Sequence, residues 1–356
     1  MRVVITGASG NLGTSLLHAL ADEPRVDSVV GIARRRPGLS FPRTEWVQAD
    51  IDEDDLEPHF RGADAVVHLA WKIQPSRDLA ALRRTNVHGS ERVFRAAAAA
   101  RVPHLIHGSS VGTYSRGPKD RAVDEDWPRD GISTSFYGRH KAEVERLLDT
   151  FEREHPSVRV VRMRPGLVFK RDAAQGIRRL FLGPFLPGRL VRPGLIPLVP
   201  DVPGLRFQAV HSLDVGEAYR LALLSDACGA FNIAAEPVLD GPTLAAALGA
   251  RTVPVPRGLL RGAAGLTWRL HLQPTPAGWV DLGLGVPVMD VSRARSLLGW
   301  EPARSSVEAF LDLLTGIREG RGFPTPPLAE STSGPARTHE LATGVGEREH
   351  PNRGGT

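Results

Sequence analysis

The chain has 356 residues, of which 41% are hydrophobic, enough for one large α/β domain with a smaller companion and no cross-links. Its single cysteine, Cys228, excludes an internal disulfide and fits a reducing compartment. The formal net charge is +5, but the basic residues are scattered and nearly all arginine, so we expect no nucleic-acid partner.

The start of the chain and its apolar segments bear on location. The apolar run Val3–Ile5 leaves no room ahead of it for a secretory signal. Arginine or proline interrupts even the apolar segment 180–203, so no stretch reaches the roughly 18 apolar residues that a spanning helix needs. We therefore expect a cytoplasmic protein without a membrane partner.

Short apolar runs alternate with longer stretches of helical period through the first half of the chain. Because these runs are continuous, each predicts a strand buried on both faces, as in a parallel sheet covered by helices. The predicted strands are Val3–Thr6, Val29–Ala33, Trp46–Gln48, Ala65–Leu69, His104–Gly108 and Arg159–Arg162. The predicted fold class is α/β, a doubly wound Rossmann sheet with a smaller C-terminal substrate-binding lobe.

The alternation of apolar runs with helical stretches breaks off after Pro165. Segment 184–204 is apolar but interrupted by proline and glycine, which favours a loop packed over a pocket rather than a helix or a strand. Rossmann-like elements return at Phe207–Leu224, helical from Asp214, and at Phe231–Ile233. We expect a dinucleotide-binding domain over 1–168 completed by about 207–235, a substrate lobe over 169–206 and 236–320, and a disordered, polar tail over 324–356.

A glycine-rich bend, TGASGNLG, joins the first predicted strand to a helix. Its G-x-x-G-x-x-G spacing departs from the G-x-G-x-x-G fingerprint of dinucleotide sites. Glycine still permits a tight turn and lets the backbone approach a pyrophosphate at the helix N-terminus. The alternative is an ordinary glycine turn, but the leucine face of the following helix favours dinucleotide binding. The predicted contacts here are Gly7, Gly10, Asn11, Leu12 and Gly13.

Residues after the second and third predicted strands are expected to contact the adenosine half of the dinucleotide. Arg34 and Arg35 follow the second strand, where an NAD enzyme usually carries an acid. Since a guanidinium pairs well with phosphate, this slightly favours NADP over NAD; the alternative is a pair of solvated loop arginines. Asp50 and Ile51 follow the third strand and are placed to flank the adenine, although helix capping explains Asp50 nearly as well.

Tyr137 and Lys141 are the candidate catalytic pair, four residues apart on one face of a predicted helix. A phenol titrates near pH 10, but an adjacent ammonium and an oxidised nicotinamide both favour the phenolate. The tyrosine can then exchange a proton with a substrate oxygen. Ser110, at the end of the fifth strand, can hold that oxygen. Ser109 is its rival, and either serine is otherwise a turn residue.

Together these motifs resemble an extended short-chain dehydrogenase/reductase of the NAD-dependent epimerase/dehydratase family, over roughly residues 1–320. The motifs that carry the resemblance are TGASGNLG (6–13), Asp50–Ile51, GADAVVHLAW (62–71), TNVHGS (85–90), HGSSVGTY (107–114), YGRHK (137–141) and RPGLVF (164–169). The resemblance selects Ser110, four residues before Tyr114, as the catalytic serine.

The resemblance also implies further roles. Asn86 would help to order the active-site helix, Ala70 would line the cofactor, and Pro165 and Val168 would border the nicotinamide. Homodimers are usual in this family, here through helices over 79–100 and 137–153. The predicted cofactor contacts outside the glycine motif are Arg34, Arg35, Asp50, Ile51, Leu69, Ala70, Trp71, Ser109, Tyr137, Lys141, Pro165 and Val168.

Departures from the family narrow the expected reaction. Similar sugar-nucleotide dehydratases carry an acidic pair after the catalytic hydroxyl, whereas Val111 and Gly112 follow Ser110, so dehydration is not expected. Residues 170–206 contain no recognisable nucleotide-diphosphate clamp, and Trp71 makes the entrance bulky and aromatic.

The sequence therefore predicts an NAD(P)-dependent oxidoreductase without a metal. It moves a hydride to or from an alcohol or ketone carbon of a small or moderately apolar substrate. One alternative is a nucleotide-sugar epimerase that retains NAD. Another is a non-catalytic dinucleotide-binding sensor or scaffold, which the presence of both Tyr137 and Lys141 disfavours. The substrate itself is not set by any motif.

Overall fold

The computed structural model describes residues 1–73, 77–181, 188 and 191–330 of the chain. The strands are β1 (Arg2–Thr6), β2 (Ser28–Ala33), β3 (Thr44–Gln48), β4 (Ala65–His68), β5 (His104–Gly108), β6 (Ala122–Val123), β7 (Arg159–Pro165), β8 (Leu167–Phe169), β9 (Leu198–Asp201), β10 (Ala209–His211), β11 (Gly229–Ile233), β12 (Arg251–Pro254) and β13 (Val288–Met289). The α-helices are α1 (Asn11–Leu20), α2 (Glu57–Phe60), α3 (Leu79–Arg83), α4 (Ser90–Ala99), α5 (Phe136–Glu154), α6 (Ala174–Phe181), α7 (Ser212–Leu224), α8 (Gly241–Leu248), α9 (Arg257–Arg269), α10 (Ala277–Gly285), α11 (Ser292–Leu298) and α12 (Ser306–Glu319). Short 3-10 helices cover Val111–Thr113 and Arg171–Ala173, and a π-helix covers Arg84–Gly89.

Seven strands form one parallel sheet in the order β11-β7-β5-β4-β1-β2-β3. The six predicted strands all lie in it, and β7 runs on to Pro165. The winding direction reverses between β1 and β4, and such a reversal opens a crevice at the carboxyl ends of the strands. The predicted doubly wound Rossmann fold is confirmed.

The two faces of the sheet are covered by separate apolar layers. Val3 and Ile5 of β1 join the cluster that contains the buried side chains of α1 and α7. Val4, between them, points to the other face and joins the buried residues of α4 and α5. This two-sided burial explains why β1 is apolar at consecutive positions. No helix among the described residues is long and apolar enough to cross a membrane.

The smaller lobe corrects two sequence expectations. In segment 184–204, Leu198–Asp201 is a strand whose Leu198 pairs with Arg251 of β12, so the expectation of a loop is wrong there. Partnering with a distant strand satisfies its backbone groups. Residues 184–187 and 189–190 lie outside the described residues. The stretch from Met289 to Trp300, assigned to the substrate lobe, packs into the β1 cluster instead.

The start of the predicted tail also differs from expectation. Thr325 and Leu328 are 1% and 5% exposed, and Phe323 and Leu328 are joined by a main-chain hydrogen bond at 2.9 Å. Disorder is therefore wrong for 324–330, because this short turn buries its few apolar groups. Residues 331–356 lie outside the described residues.

Candidate active site

The glycine-rich bend is shaped by close backbone contacts. Gly7 has φ +72°, and a Cβ there would lie 2.6 Å from the Ala70 nitrogen. A Cβ at Gly13 would lie 2.5 Å from the Gly7 oxygen. Gly10 caps α1 without a side-chain hydrogen bond, so the first amides of the helix remain available to an anion. A dinucleotide pyrophosphate fits this bend.

A groove runs across the bend at the carboxyl edge of the sheet. Its lining residues are Gly7, Ser9, Gly10, Ile32, Ala33, Arg34, Ala49, Ile51, Leu69, Ala70, Trp71, Lys72, Thr85 and Pro327. Seven of the predicted cofactor contacts are among them, whereas Asn11 ties the bend to its surroundings. Its amide donates to the Val168 oxygen at 3.5 Å and accepts from the Ser212 hydroxyl at 3.0 Å.

The acidic turn after β3 assigns Asp50 a local role. Its carboxylate accepts from the Asp52 nitrogen at 3.0 Å, and Ile51, not Asp50, lines the groove. The Asp50 carboxylate therefore stabilises a local turn and caps no helix, since α2 begins only at Glu57. Its contact with the adenine stays a prediction.

Lys72 is a groove residue that the sequence analysis missed. It lines the groove beside Arg34, and its Nζ lies 3.8 Å from an Asp52 oxygen. Burial lowers the pKa of Lys72, and the nearby charge of Arg34 lowers it further. Lys72 and Arg34 thus form a cationic end of the groove. The only signal in the sequence was its place just after the groove-lining Ala70 and Trp71.

The structure brings Tyr137 and Ser110 together. Tyr137 is the second residue of α5, and both its ring and the Ser110 Oγ lie beside Gly112. A Cβ at Gly112 would lie 2.8 Å from the Tyr137 ring and 3.4 Å from the Ser110 Oγ, so only glycine leaves room for this arrangement. Burial raises the pKa of Tyr137 to about 12, and the nearby Ser110 hydroxyl opposes the rise.

Lys141 lies one helical turn further along α5 and is 3% exposed. Its Nζ donates to the Gly108 oxygen at 2.6 Å and lies 3.4 Å from the centroid of the Trp71 ring. The Tyr137 ring centroid is 5.9 Å from the same Nζ. Burial lowers the pKa of Lys141 well below its usual value, and Glu145 counteracts this. Serine, tyrosine and lysine thus converge at the carboxyl ends of β4 and β5.

Two tryptophans flank the catalytic tyrosine. The Trp71 ring meets Tyr137 edge-on, with centroids 6.1 Å apart. Trp279 of α10 stacks on the other side at 5.1 Å, with an interplanar angle of 30°, and Phe136 and Phe181 pack edge-on against it. The sequence does not point to Trp279, because no local motif surrounds it and tertiary folding alone brings α10 to α5.

Asn86 holds the wall of the groove. It lies in the π-helix, an irregularity that is frequent at functional sites. Its side-chain oxygen accepts from the Lys72 nitrogen at 2.7 Å, and its amide donates to the Lys72 oxygen at 3.0 Å. These hydrogen bonds fix the segment that carries Trp71 and Lys72. The role implied by the resemblance, ordering of the active-site helix, stays a prediction.

Ser109 belongs to a buried ion-pair network. Its hydroxyl donates to Glu145 at 2.5 Å, and Arg164 makes a two-pronged contact with the same carboxylate at 2.5 and 2.8 Å. Burial alone would raise the pKa of Glu145, but the Arg164 guanidinium holds it below its usual value. The Ser109 hydroxyl is therefore engaged in this network, and the choice of Ser110 as the catalytic serine stays a prediction.

Pro165 and Val168 lie just beyond this network. Pro165 ends β7 beside Ile233 of β11, and Val168 of β8 pairs with Val210. Neither residue lines the groove over the bend.

Comparisons with known proteins place the chain among nicotinamide-dependent enzymes. A family model for the NAD dependent epimerase/dehydratase family matches residues 3–182. An uncharacterized protein of Mycobacterium tuberculosis is 29% identical over 321 residues, covering 89% of this chain. The chain spans only 30% of the length of that relative.

Two further comparisons involve proteins with named activities. L-arabinose 1-dehydrogenase (NAD(P)(+)) of Haloferax volcanii is 28% identical over 227 residues, covering 57% of this chain and 85% of that protein. The solved structure of UDP-glucuronic acid 4-epimerase from Bacillus cereus, in complex with UDP-glucuronic acid and NAD, has a TM-score of 0.66. It is 20% identical and covers 90% of this chain and 99% of the epimerase, so the two share the fold.

Proposed function

The chain belongs to the NAD-dependent epimerase/dehydratase family, whose model matches half of it, and on that premise we propose that it is an NAD(P)-dependent oxidoreductase. Its substrate would be an alcohol or ketone carbon of a small, moderately apolar molecule. The observation that carries this proposal is the convergence of Ser110, Tyr137 and Lys141 beside the groove of the glycine-rich bend. The two tryptophans around Tyr137 support an apolar substrate.

The chain's own residues suit proton transfer at the reacting carbon. When bound, a nicotinamide supplies or accepts the hydride. In the reducing direction Tyr137, neutral at physiological pH because burial raises its pKa to about 12, donates a proton to the substrate oxygen. The Ser110 hydroxyl, close to the Tyr137 ring, orients the oxygen. The Lys141 amine, in its charged form, stabilises the phenolate that remains.

A turnover assay tests the proposal. Purified protein is mixed with NADPH or NADH and with aliphatic, aryl and sugar carbonyl compounds, and the absorbance of the reduced nicotinamide is followed. We expect cofactor oxidation with apolar ketones above the rate without protein. No oxidation with any compound of the panel contradicts the proposal.

A nucleotide-sugar epimerase is the second candidate, because the UDP-glucuronic acid 4-epimerase of Bacillus cereus, solved with UDP-glucuronic acid and NAD, shares this fold. An epimerase of this kind keeps its cofactor and shows no net redox change. Release of NAD from the denatured protein, together with interconversion of a UDP-sugar pair, would favour this candidate over the oxidoreductase.

We propose NADP as the preferred cofactor, held at the 2'-phosphate by Arg34 and Lys72. Both side chains line the same end of the groove, and charge-assisted hydrogen bonds are each worth about 1.5–3 kcal/mol. Arg34→Ala should therefore raise the Kd for NADPH about tenfold or more and leave that for NADH nearly unchanged, as measured by fluorescence titration. Arg36→Ala, an exposed neighbour outside the groove, is the control. Equal losses for both cofactors would contradict this assignment.

Trp279 is expected to select the substrate. Because its ring stacks on Tyr137, Trp279→Ala removes an aromatic wall beside the catalytic phenol, and stacked aromatic pairs contribute about 0.5–1.5 kcal/mol beyond the area they bury. We expect the KM for an aryl ketone to rise about tenfold in Trp279→Ala, with a smaller change in kcat. Trp279→Phe, which keeps an aromatic ring, should bring the KM most of the way back to the wild-type value. An unchanged KM in the alanine variant would remove Trp279 from the substrate site.

We also propose a homodimer in the cytoplasm, on the family resemblance and the single cysteine. The predicted pairing helices are α3 to α4, continuous through the π-helix, and α5. An ion pair between Arg83 and Glu143 ties these two elements together, and Leu79 nearby is 48% exposed, which suits an apolar contact with a second copy.

A further inference from the structure

Helix α9 carries an apolar face that the described part of the chain leaves uncovered. None of its 13 residues is buried. Leu259 and Leu266, with Leu270 just past the helix end, are 63%, 58% and 58% exposed. Their spacing, with Ala263 between them, places all four side chains on one face. Clustered exposed leucines of this kind mark an interaction surface.

The surroundings of this leucine face are basic. Residues 241–280 contain no aspartate or glutamate, but they contain four arginines: Arg251, Arg257, Arg261 and Arg269. Arg261 pairs with Asp281 at 2.8 Å, just outside this segment. No described residue forms a hydrogen bond or ion pair with the Arg251 or Arg269 side chain. The surface is therefore complementary to an anionic partner.

The neighbouring strands extend the same surface. All of β12 is exposed, and Leu198 of β9, paired with Arg251, is 54% exposed. In a parallel pair, opposed residues point to the same side of the sheet, so Leu198 and Arg251 share a face. Leu198 and Arg251 thus add one apolar and one cationic side chain to the surface, the two kinds of side chain with which amphipathic helices bind anionic lipid.

The helix also stands at the rim of the catalytic site. It packs against α10, which presents Trp279 to Tyr137. The Arg77 guanidinium lies 4.3 Å from the Trp268 ring centroid of α9 and donates to the Trp268 oxygen at 2.6 Å. The helix therefore bridges the segment after Trp71 and the helix that carries Trp279.

We propose that α9 docks the protein on an anionic phospholipid surface. The leucine face enters the boundary between headgroups and acyl chains, and Arg251 and Arg269 contact lipid phosphates. The rim of the catalytic site then faces the bilayer, a suitable source of apolar substrates. The sequence expectation of no membrane partner considered only spanning segments, and a surface helix is a different mode of association.

Co-sedimentation with vesicles tests the proposal on the full chain without added cofactor. We expect binding to vesicles of equal parts phosphatidylcholine and phosphatidylglycerol, and at least about tenfold weaker binding to phosphatidylcholine alone. The double variant Leu266→Glu/Leu270→Glu should lose at least about tenfold in binding. Leu297→Glu on α11, where the leucine is 54% exposed, is the matched control and should bind as the wild type does. Arg251→Gln/Arg269→Gln and added salt should each weaken binding.

Three results would overturn the proposal: equal binding to both vesicle types, binding that the double leucine variant retains, or vesicle-independent self-association that this variant abolishes. The last would make the leucine face an interface between two copies. Thermal unfolding of the variants confirms that they fold. Vesicle binding is measured without turnover. A negative binding result therefore does not contradict the proposed oxidoreductase activity, and a negative turnover assay does not affect the interpretation of vesicle binding.

Discussion

Tyr137→Phe should lower kcat for ketone reduction by about 10²–10⁴-fold, the usual contribution of a positioned proton donor. The change removes one oxygen and keeps the ring that packs between Trp71 and Trp279, so dinucleotide affinity should be retained. Initial rates from nicotinamide absorbance give kcat, and fluorescence titration gives the cofactor Kd. Because burial raises the pKa of Tyr137 to about 12, alcohol oxidation by the wild type, which needs the phenolate, should rise with pH through the alkaline range.

Tyr219→Phe is the matched control. Tyr219 is fully buried, and its hydroxyl has no hydrogen-bond partner among the described residues, so the same chemical change there removes no hydrogen bond. We expect this variant to keep nearly wild-type kcat. A fully active Tyr137→Phe enzyme would show that another group delivers the proton, whereas equal losses in both variants would point to a packing effect.

The sheet and the core of the site were predictable because their signals are local in sequence. Consecutive apolar residues such as Val3 to Ile5 reflect burial on both faces of β1. The bend around Gly7 needs glycine for reasons of turn geometry and close approach. The spacing of Tyr137 and Lys141 on one helix fixes their common face.

The walls of the site were not predictable, because they depend on contacts between distant segments. Trp279 reaches Tyr137 only when α10 packs beside α5. Lys72 is positioned by Asn86, whose side chain forms two hydrogen bonds with the Lys72 main chain. Leu198 sits in a proline-rich segment whose strand partner, Arg251, comes much later in the chain. Single-sequence patterns carry no signal for such pairings.

The network behind the site gives the largest expected effect on stability. Glu145 is 0% exposed, and its carboxylate accepts from Arg164 at 2.5 and 2.8 Å and from Ser109 at 2.5 Å. Glu145→Ala leaves the Arg164 guanidinium, itself 2% exposed, buried without a counter-charge. Removing one partner of a buried pair costs about 3–5 kcal/mol, so we expect the free energy of unfolding to fall by that amount in urea denaturation.

Glu143→Ala is the control on the same helix. Its ion pair with Arg83 is partly exposed, with side chains 31% and 46% accessible, and such pairs contribute about 0–1 kcal/mol. A loss below about 1 kcal/mol for Glu145→Ala as well would mean that Arg164 finds another partner.

The pH dependence of stability provides a second check. The pKa of Glu145 is held below its usual value, so its contribution is present above the unfolded-state pKa of about 4.3 and is lost as the pH falls through the lower folded-state pKa. The gap in stability between the wild type and Glu145→Ala should therefore narrow in acid.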